Sequence, residues 1–434
     1  MERYEKYKDS GVEWIGEVPE HWEVSFVKRF SKITDGSHFS PQTRDIGLPY
    51  VSVKDIGINQ IDLTNCKRIS EDDFNALVKN GCLPKVGDVL LTKDGTIGRA
   101  AVVYQNYAPF VVLSSLGIIS PGHKIFPDYL YFYLISGINV DQMYSLIHGS
   151  ALTRLTIEKI NSLIIAVPSF EEQTTIASYL ERKTAEIDQL IADKKRLITL
   201  YEEEKTALIN QAVTKGINPE VKMKDSGIEW LGEVPESWEV KKLKHVSKKI
   251  GDGIHSTPNY LINTEFHFIN GVNLSNGRIL LTDKTMSVSK EEYEKYKIDL
   301  DKNTILISLN GTIGKLAIYN DELVILGKSA AFISLQNSIC PIFIYYILQS
   351  EYINNYFEDS FSGTTIKNLS LYTLRNTPLS FPTLEQQKII VKHIKKECSL
   401  FDAKIAKTQK LIDLLSEYRT ALISEVVTGK VRVT

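Results

Sequence analysis

Two stretches of the chain carry apolar residues at the three- and four-residue spacings of a single helix face. The first stripe is formed by Ile176, Leu180, Ile187, Ile191, Ile198, Tyr201, Leu208 and Ala212, and the second, 214 residues later, by Ile390, Ile394, Phe401, Ile405, Ile412, Leu415, Leu422 and Val426. Charged and polar residues fill the positions between them. This pattern predicts two helices of about 40 residues, each roughly 60 Å long. Such a helix needs a partner to cover its stripe, and the comparable partner in this chain is the other helix.

The sequence also marks where both helices begin. Ser169 is followed three residues later by Glu172, and Thr383 by Gln386, which is the spacing of a capping box. A proline stands directly ahead of each pair, where it does not interrupt the helix.

The stretch of roughly 150 residues ahead of each helix has a different pattern. Short β-type runs such as "KVGDVLLT" and "FVVLSSLGIIS" alternate with Gly, Pro, Asn and Asp, and one helical run, "PDYLYFYLIS", lies among them. We therefore predict an α+β fold with two mixed, mostly β domains, each followed by a long helix. The predicted bounds are 1–167, 168–215, 216–381 and 382–434.

The two halves are copies of one unit. "KDSGVEWIGEVPEHWEV" at Lys8 recurs as "KDSGIEWLGEVPESWEV" at Lys224, "DGSHFSP" as "DGIHSTP", and "KDGTIGR" as "LNGTIGK". Between these motifs the copies differ freely, as expected for two equivalent modules that bind different things. We interpret the tryptophans of the repeated peptide, Trp14, Trp22, Trp230 and Trp238, as packing anchors.

Composition narrows the classes of protein. The chain has 434 residues, enough for two to four domains, and a net charge of −2, which by itself argues weakly against nucleic acid as a partner. Basic runs at Lys28 and from Lys241 to Lys249 nevertheless allow a local basic face. We see no secretion signal and no run of about 20 apolar residues. The four cysteines form no C-x-x-C pair, which favours a reducing, cytoplasmic setting without a metal site.

Catalytic motifs are missing from the sequence. It contains no N/D-P-P-Y/F/W, no G-x-G-x-x-G, no H-E-x-x-H and no G-x-S-x-G. The Gly-Lys-Ser at residues 327–329 is no phosphate loop, because Glu322 stands where that loop needs glycine. We therefore expect no catalytic, cofactor-binding or metal-binding residues in this chain.

Two motifs carry candidate binding chemistry. Glycines flank Thr-Ile in "KDGTIGR" and "NGTIGK", which suits either a phosphate contact or a glycine hairpin between strands, and both readings stay open. "DGSHFSP" and "DGIHSTP" place short polar groups in a turn, although a structural Asx turn explains them as well. The loops "GSALTRLT" and "GTTIKNLS" add further small and polar residues.

Taken together, the duplicated halves, the paired helices, "KDSG-x-EW-x-GE-x-P-x-x-W", "GTIG" and "P-x-x-E-x-Q-x-x-I" resemble the specificity subunit of type I restriction–modification systems over the whole chain. The resemblance implies two target recognition domains, each reading half of a bipartite DNA site, with the helices packed as an antiparallel spacer. It further implies two modification subunits that bind S-adenosylmethionine and methylate adenine N6. Two restriction subunits that use ATP and Mg²⁺ complete the implied complex.

On this reading, candidate DNA contacts combine the two motifs with nearby cations. They are Lys28, His38, Ser40, Arg44, Lys54, Lys93, Gly95, Thr96, Arg99 and Arg154 in the first half, and Lys241, Lys242, His255, Thr257, Asn310, Gly311, Thr312, Lys315, Lys367 and Asn368 in the second. The competing class is a duplicated scaffold that tethers two proteins, which the near-neutral charge favours. DNA binding that weakens steeply with salt distinguishes the two classes.

Overall fold

A computed structural model describes residues 2–147, 154–361 and 367–433. The chain divides into two compact units, unit 1 with Met1–Lys195 and Gln409–Thr434, and unit 2 with Arg196–Thr408. Each unit holds one globular repeat together with part of both long helices. The predicted α+β fold of two repeated domains with long helices is confirmed.

Unit 1 contains eleven strands within the described residues. They are β1 (Tyr7–Asp9), β2 (Glu17–Pro19), β3 (Glu23–Phe26), β4 (Ser31–Asp35), β5 (Leu48–Val51), β6 (Lys67–Ile69), β7 (Val89–Thr92), β8 (Ala100–Val102), β9 (Val111–Val112), β10 (Leu116–Pro121) and β11 (Ile164–Val167). The helices are α1 (Glu71–Lys79), α2 (Pro127–Ile135), α3 (Gly137–Ile147) and α4 (Ile157–Asn161), with short 3-10 turns at Val27–Arg29 and Val53–Asp55. The long helix α5 (Phe170–Thr214) begins in unit 1, and its residues from Arg196 onward belong to unit 2.

Unit 2 repeats this order with a few added strands. They are β12 (Met223–Asp225), β13 (Glu233–Pro235), β14 (Glu239–Lys242), β15 (Ser247–Asp252), β16 (Tyr260–Leu261), β17 (His267–Ile269), β18 (Leu274–Ser275), β19 (Arg278–Ile279), β20 (Ser287–Val288), β21 (Thr304–Ser308), β22 (Leu316–Ile318), β23 (Val324–Leu326), β24 (Ala330–Leu335) and β25 (Pro378–Phe381). The helices are α6 (Lys290–Tyr296), α7 (Pro341–Gln349), α8 (Glu351–Asp359) and α9 (Leu371–Asn376), with 3-10 turns at Leu243–His245 and Gly271–Asn273. The long helix α10 (Leu384–Val427) begins in unit 2, and its residues from Gln409 onward belong to unit 1.

A four-stranded antiparallel sheet forms the centre of each globular repeat. Its strand order is β4-β10-β7-β8 in unit 1 and β15-β24-β21-β22 in unit 2. A second sheet in each unit contains one parallel pair, β5 with β9 and β17 with β23. Three strands of each central sheet are largely buried and are rich in apolar residues without alternation, namely β7, β8 and β10 in unit 1 and β21, β22 and β24 in unit 2.

Segments of α5 and α10 pack antiparallel within each unit. In unit 1 the Arg419 guanidinium binds the Asp188 carboxylate through two N–O contacts of 2.9 and 3.1 Å. In unit 2 Lys205 Nζ lies 2.6 Å from Asp402 Oδ1. All sixteen residues of the two predicted stripes are buried or half-buried.

The helix starts agree only partly with the capping boxes expected from sequence. Thr383 and Gln386 form the complete reciprocal box. At α5 the Ser169 hydroxyl accepts the Glu172 N–H. The second bond of the box, from the Ser169 N–H to the Glu172 carboxylate, is not formed, so this part of the prediction is wrong. The Glu172 carboxylate instead accepts hydrogen bonds from Tyr4 and Trp22, which anchor the N-terminal segment to the helix start.

Two buried glutamines join the globular repeats to the helices, and they stand at the Gln position of "P-x-x-E-x-Q-x-x-I" in each half. The Gln173 side chain accepts the Phe126 N–H at 2.8 Å and donates to the Pro168 carbonyl at 3.0 Å. Gln387, its counterpart in unit 2, accepts the Cys340 N–H at 2.9 Å. Each glutamine therefore ties the start of the following long helix to the start of α2 or α7.

The tryptophan prediction is right for three of the four residues. Trp22 and Trp238 are buried in the cores of their units, as expected. Trp230 is half-buried and stacks on Tyr352 and Tyr356. Trp14, however, is 48% exposed, so it is no packing anchor.

Among the described residues, no helix has the length and apolarity needed to span a bilayer.

We predict that Ile187→Glu destabilises the helix pair of unit 1 by about 3 kcal/mol or more, because it buries a charge without a partner. Ile187 is 5% exposed and belongs to the same buried cluster as Leu422. Urea denaturation measures the change. The matched control is Leu190→Glu on the same helix, where the side chain is 46% exposed. Equal stability of the two variants would contradict the packing described.

Candidate nucleic-acid interface

Loops from separate parts of the sequence meet at one edge of each central sheet. In unit 1, β4 and β7 end at the edge where β8 and β10 begin, because neighbouring strands are antiparallel. Residues 36–40, 93–99 and 113–115 therefore lie together, and the Leu155 N–H donates to the Lys93 carbonyl, which adds residues 154–156. We call these residues the loop edge of unit 1. The loop edge of unit 2 consists of residues 253–259, 309–315, 327–329 and 367–369.

The glycine motif forms a closed hairpin in unit 1. The Thr92 hydroxyl accepts the Arg99 N–H at 2.9 Å and donates to the Thr96 carbonyl at 2.6 Å. Gly95 and Gly98 adopt φ of +64° and +93°, which favours glycine. The hairpin reading of this motif is thus what the structure shows, while Gly95, Thr96 and Arg99 remain exposed on it.

The same closure recurs in unit 2. The Ser308 hydroxyl accepts the Lys315 N–H at 3.0 Å and donates to the Thr312 carbonyl. Gly311 and Gly314 have φ of +72° and +79°. Gly311 and Thr312 are exposed and Lys315 is half-buried. A strand-end hydroxyl therefore holds this loop in both units.

The glycine after each aspartate is required by a close backbone approach. A Cβ at Gly36 would lie 2.0 Å from the Leu113 carbonyl oxygen, and one at Gly253 would lie 1.9 Å from the Leu326 carbonyl oxygen. The N–H groups that follow these glycines bond to the same segments, Ser37 to the Val112 carbonyl and Ile254 to the Leu326 carbonyl. The Asp-Gly turn is therefore fixed against the second sheet in both units.

Lys93 differs from its prediction as a surface cation. Its side chain is 2% exposed, and its ammonium lies 2.7 Å from Asp35 Oδ1. The other oxygen of this carboxylate lies 2.9 Å from His38 Nε2. Burial beside Asp35 takes Lys93 away from any ligand, so it acts inside the loop edge while His38 stays exposed.

Unit 2 has the histidine pair without the lysine. His255 Nε2 lies 3.0 Å from Asp252 Oδ2, but Leu309 occupies the position of Lys93 and is buried. Thr257 is exposed at this loop edge, as Ser40 is in unit 1.

The remaining predicted cations fall into three groups. Arg44, Lys54 and Lys367 are exposed at or beside the loop edges, and the Val53 N–H next to Lys54 donates to the Ser115 hydroxyl. Arg154 forms an ion pair within the protein, since its Nε lies 3.0 Å from Asp94 Oδ1.

The third group lies elsewhere. The structure places Lys28 ahead of β4, and Lys241 and Lys242 ahead of β15, at the ends of these strands opposite the loop edges. It thus does not bring these three lysines to the candidate interface.

The last predicted residues lie in the segments that precede α4 and α9 and in the glycine hairpin of unit 2. Asn310 and Asn368 form a backbone bridge at the loop edge of unit 2. Residues 148–153 and 362–366, which include the first five residues of "GSALTRLT" and the first four of "GTTIKNLS", lie outside the described residues. Lys328 is exposed at the same edge and was missed, because its Gly-Lys-Ser context was tested only as a phosphate loop. Its position between two predicted strands was the available signal.

Comparison with known proteins identifies the class. The profile of the family described as "Type I restriction modification DNA specificity domain" matches residues 19–200 and 235–415. The chain belongs to this family.

Individual relatives cover nearly the whole chain. The type I restriction enzyme MjaVIII specificity subunit of Methanocaldococcus jannaschii is 26% identical over 96% of this chain and 94% of that protein. A chain from a structure titled as the basis of assembly and conformational transition of the type I R-M system superposes with a TM-score of 0.69 at 15% identity, covering 95% of this chain and 99% of that one. The HsdS subunit of Thermoanaerobacter tengcongensis gives 0.56 at 15% identity, over 95% and 98%. The last two show a shared fold.

We predict that Gly36→Ala destabilises unit 1 and Gly253→Ala destabilises unit 2, each by about 1–3 kcal/mol, because the new methyl group must displace a backbone carbonyl. Chemical denaturation measures both. Gly57→Ala is the matched control, since the nearest atom to its Cβ lies 3.7 Å away. If Gly36→Ala were as stable as Gly57→Ala, the close approach would be wrong.

Proposed function

We propose that this chain gives a type I restriction–modification complex its DNA specificity, with unit 1 reading one half of a bipartite duplex site and unit 2 reading the other. The observation that carries the proposal is the duplicated loop edge. Both edges share the Asp-Gly turn, the Asp–His pair and the closed glycine hairpin, but their exposed side chains differ. A common frame with different exposed groups suits two half-sites of different sequence.

The proposed chemistry belongs to other subunits. Two modification subunits bind S-adenosylmethionine and methylate adenine N6, and two restriction subunits use ATP and Mg²⁺ to translocate and cleave DNA. This chain supplies recognition alone, and its complex works in the cytoplasm on cellular DNA. The competing scaffold function is not favoured, because it gives no reason for the relatives to be restriction-enzyme specificity subunits.

The proposed division of labour follows the domain bounds expected from sequence. Residues 1–167 and 216–381 hold the two target recognition domains, and residues 168–215 and 382–434 hold the helical spacer. The recognition contacts proposed within them are the exposed groups of the two loop edges, including His38, Arg99 and His255. Phosphate contacts set the register on the duplex, and loop side chains specify the bases.

We predict that exchanging residues 25–160 for those of another member of the family changes one half-site and leaves the other unchanged. A genome-wide map of methylated adenines, made with this chain, with the exchanged chain and without either, measures the outcome. The map without the chain is the control. Loss of neither half-site, or alteration of both, would overturn the modular function.

We predict that two cations on the same loop differ in their effect on the salt dependence of DNA binding. Arg99→Ala weakens binding to all duplexes and reduces the slope of log K against log[salt] by about one, because an exposed arginine releases counterions from phosphate. Lys93→Leu, which installs the residue of unit 2, leaves the slope unchanged because Lys93 is buried against Asp35. Binding by the chain assembled with its modification subunits, titrated over salt, checks both. A reduced slope for Lys93→Leu would show that this lysine reaches phosphate.

A further inference from the structure

Phe39 is an aromatic ring held out into solvent on a fixed backbone. The residue is 62% exposed and lies in the turn of the unit 1 loop edge, directly after His38. The Ser37 hydroxyl donates to the Phe39 carbonyl at 2.8 Å, and the Phe39 N–H donates back to it at 3.1 Å. The Tyr50 hydroxyl donates to the same carbonyl at 3.0 Å. We call Ser37, Tyr50 and the Phe39 backbone the Phe39 clamp.

The partners of the clamp are rigid. Tyr50 is buried in the second sheet of unit 1, and burial raises the pKa of its hydroxyl, which keeps it a donor. Ser37 is buried and bonds through its N–H to Val112. Because both hydroxyls come from ordered strands or turns, the Phe39 backbone, and with it the direction of the Cα–Cβ bond, is set before any ligand binds.

The ring and its clamp occur together in unit 1 and are replaced together in unit 2. The repeat places Ser256 opposite Phe39 and Ile254 opposite Ser37. Strand pairing makes Phe268 the counterpart of Tyr50. Tyr50 directly precedes the residue that pairs with the last residue of β9, and Phe268 directly precedes the residue that pairs with the last residue of β23. Neither Ile254 nor Phe268 carries a hydroxyl. If the two hydroxyls only stabilised the turn, unit 2 would be expected to keep them after the ring is replaced by Ser256. Since both hydroxyls are absent there, we infer that the clamp positions the Phe39 ring.

We propose that Phe39 is a specificity-determining residue that contacts the 5-methyl group of a thymine in the half-site read by unit 1. This inference rests on the proposed DNA-reading function. Phenylalanine has no polar atom for a base edge, and the thymine methyl is the apolar feature of the major groove. Each half-site that is methylated on adenine contains an A·T pair and therefore a thymine. Ser256 gives unit 2 no equivalent contact.

The experiment replaces thymines of the cognate duplex by uracil, one at a time, in both half-sites. Uracil keeps every hydrogen bond and removes the methyl group alone. We expect that at one thymine position of the unit 1 half-site the uracil duplex is bound about fourfold more weakly than the thymine duplex. Binding is measured with the chain assembled with its modification subunits. Phe39→Ser, which installs the unit 2 residue, binds both duplexes equally. Its melting temperature is unchanged because the ring is exposed.

Two further variants test the ring and the clamp separately. Phe39→Leu keeps an apolar side chain and retains discrimination between thymine and uracil. Tyr50→Phe, which installs the residue that unit 2 has at this position, removes one hydroxyl of the clamp and reduces the discrimination below that of the unaltered chain. If Tyr50→Phe discriminated between the thymine and uracil duplexes as well as the unaltered chain does, the proposed role of the clamp would be wrong.

The outcomes separate this inference from the proposed function. If the unaltered complex shows no preference for its site over random duplex, the DNA-reading function fails and this inference fails with it. If the complex is site-specific but indifferent to uracil in the unit 1 half-site, the thymine contact alone is wrong. Discrimination that persists in Phe39→Ser also overturns it.

Discussion

Each long helix carries an apolar stripe that it cannot bury by itself, and the rest of the structure depends on how that stripe is covered. In unit 1 the first part of α5 packs against the last part of α10, and in unit 2 the second part of α5 packs against the first part of α10. Neither unit is therefore made from one repeat alone. The bidentate contact of Arg419 with Asp188 fixes the register of one pair, and Lys205 with Asp402 fixes the other.

The helices in turn hold the loop edges through a short chain of contacts. Gln173 and Gln387 bind backbone groups at the start of α2 and α7, which follow directly from the central strands β10 and β24. Those strands begin at the loop edges. Residues fixed by backbone demands recur in both units, as Gly36 and Gly253 do. Residues that face solvent from this frame are free to differ, which is how one scaffold can serve two half-sites.

The sequence was most informative where a feature is periodic or repeated. The helices, the duplication and the loop motifs could be predicted, because apolar spacing and turn chemistry are local properties. The fate of single charged or aromatic side chains could not, because it depends on distant partners. Lys93 is buried only because β4 brings Asp35 beside it, and Glu172 leaves its capping role because Tyr4 and Trp22 reach it. Nothing local to these residues indicates either contact.

The net charge of −2 was a poor guide for the same reason. A net charge is summed over the whole chain, so it does not show which charges are neutralised by a neighbour and which act at a binding face. In unit 1 the buried Lys93 neutralises Asp35, so the exposed Arg99 acts beside a turn without net charge. In unit 2 that neutralising lysine is missing, and the exposed Lys328 and Lys367 lie at the edge instead. The two loop edges thus gain cationic character by different routes, and only a residue-by-residue account of burial distinguishes them.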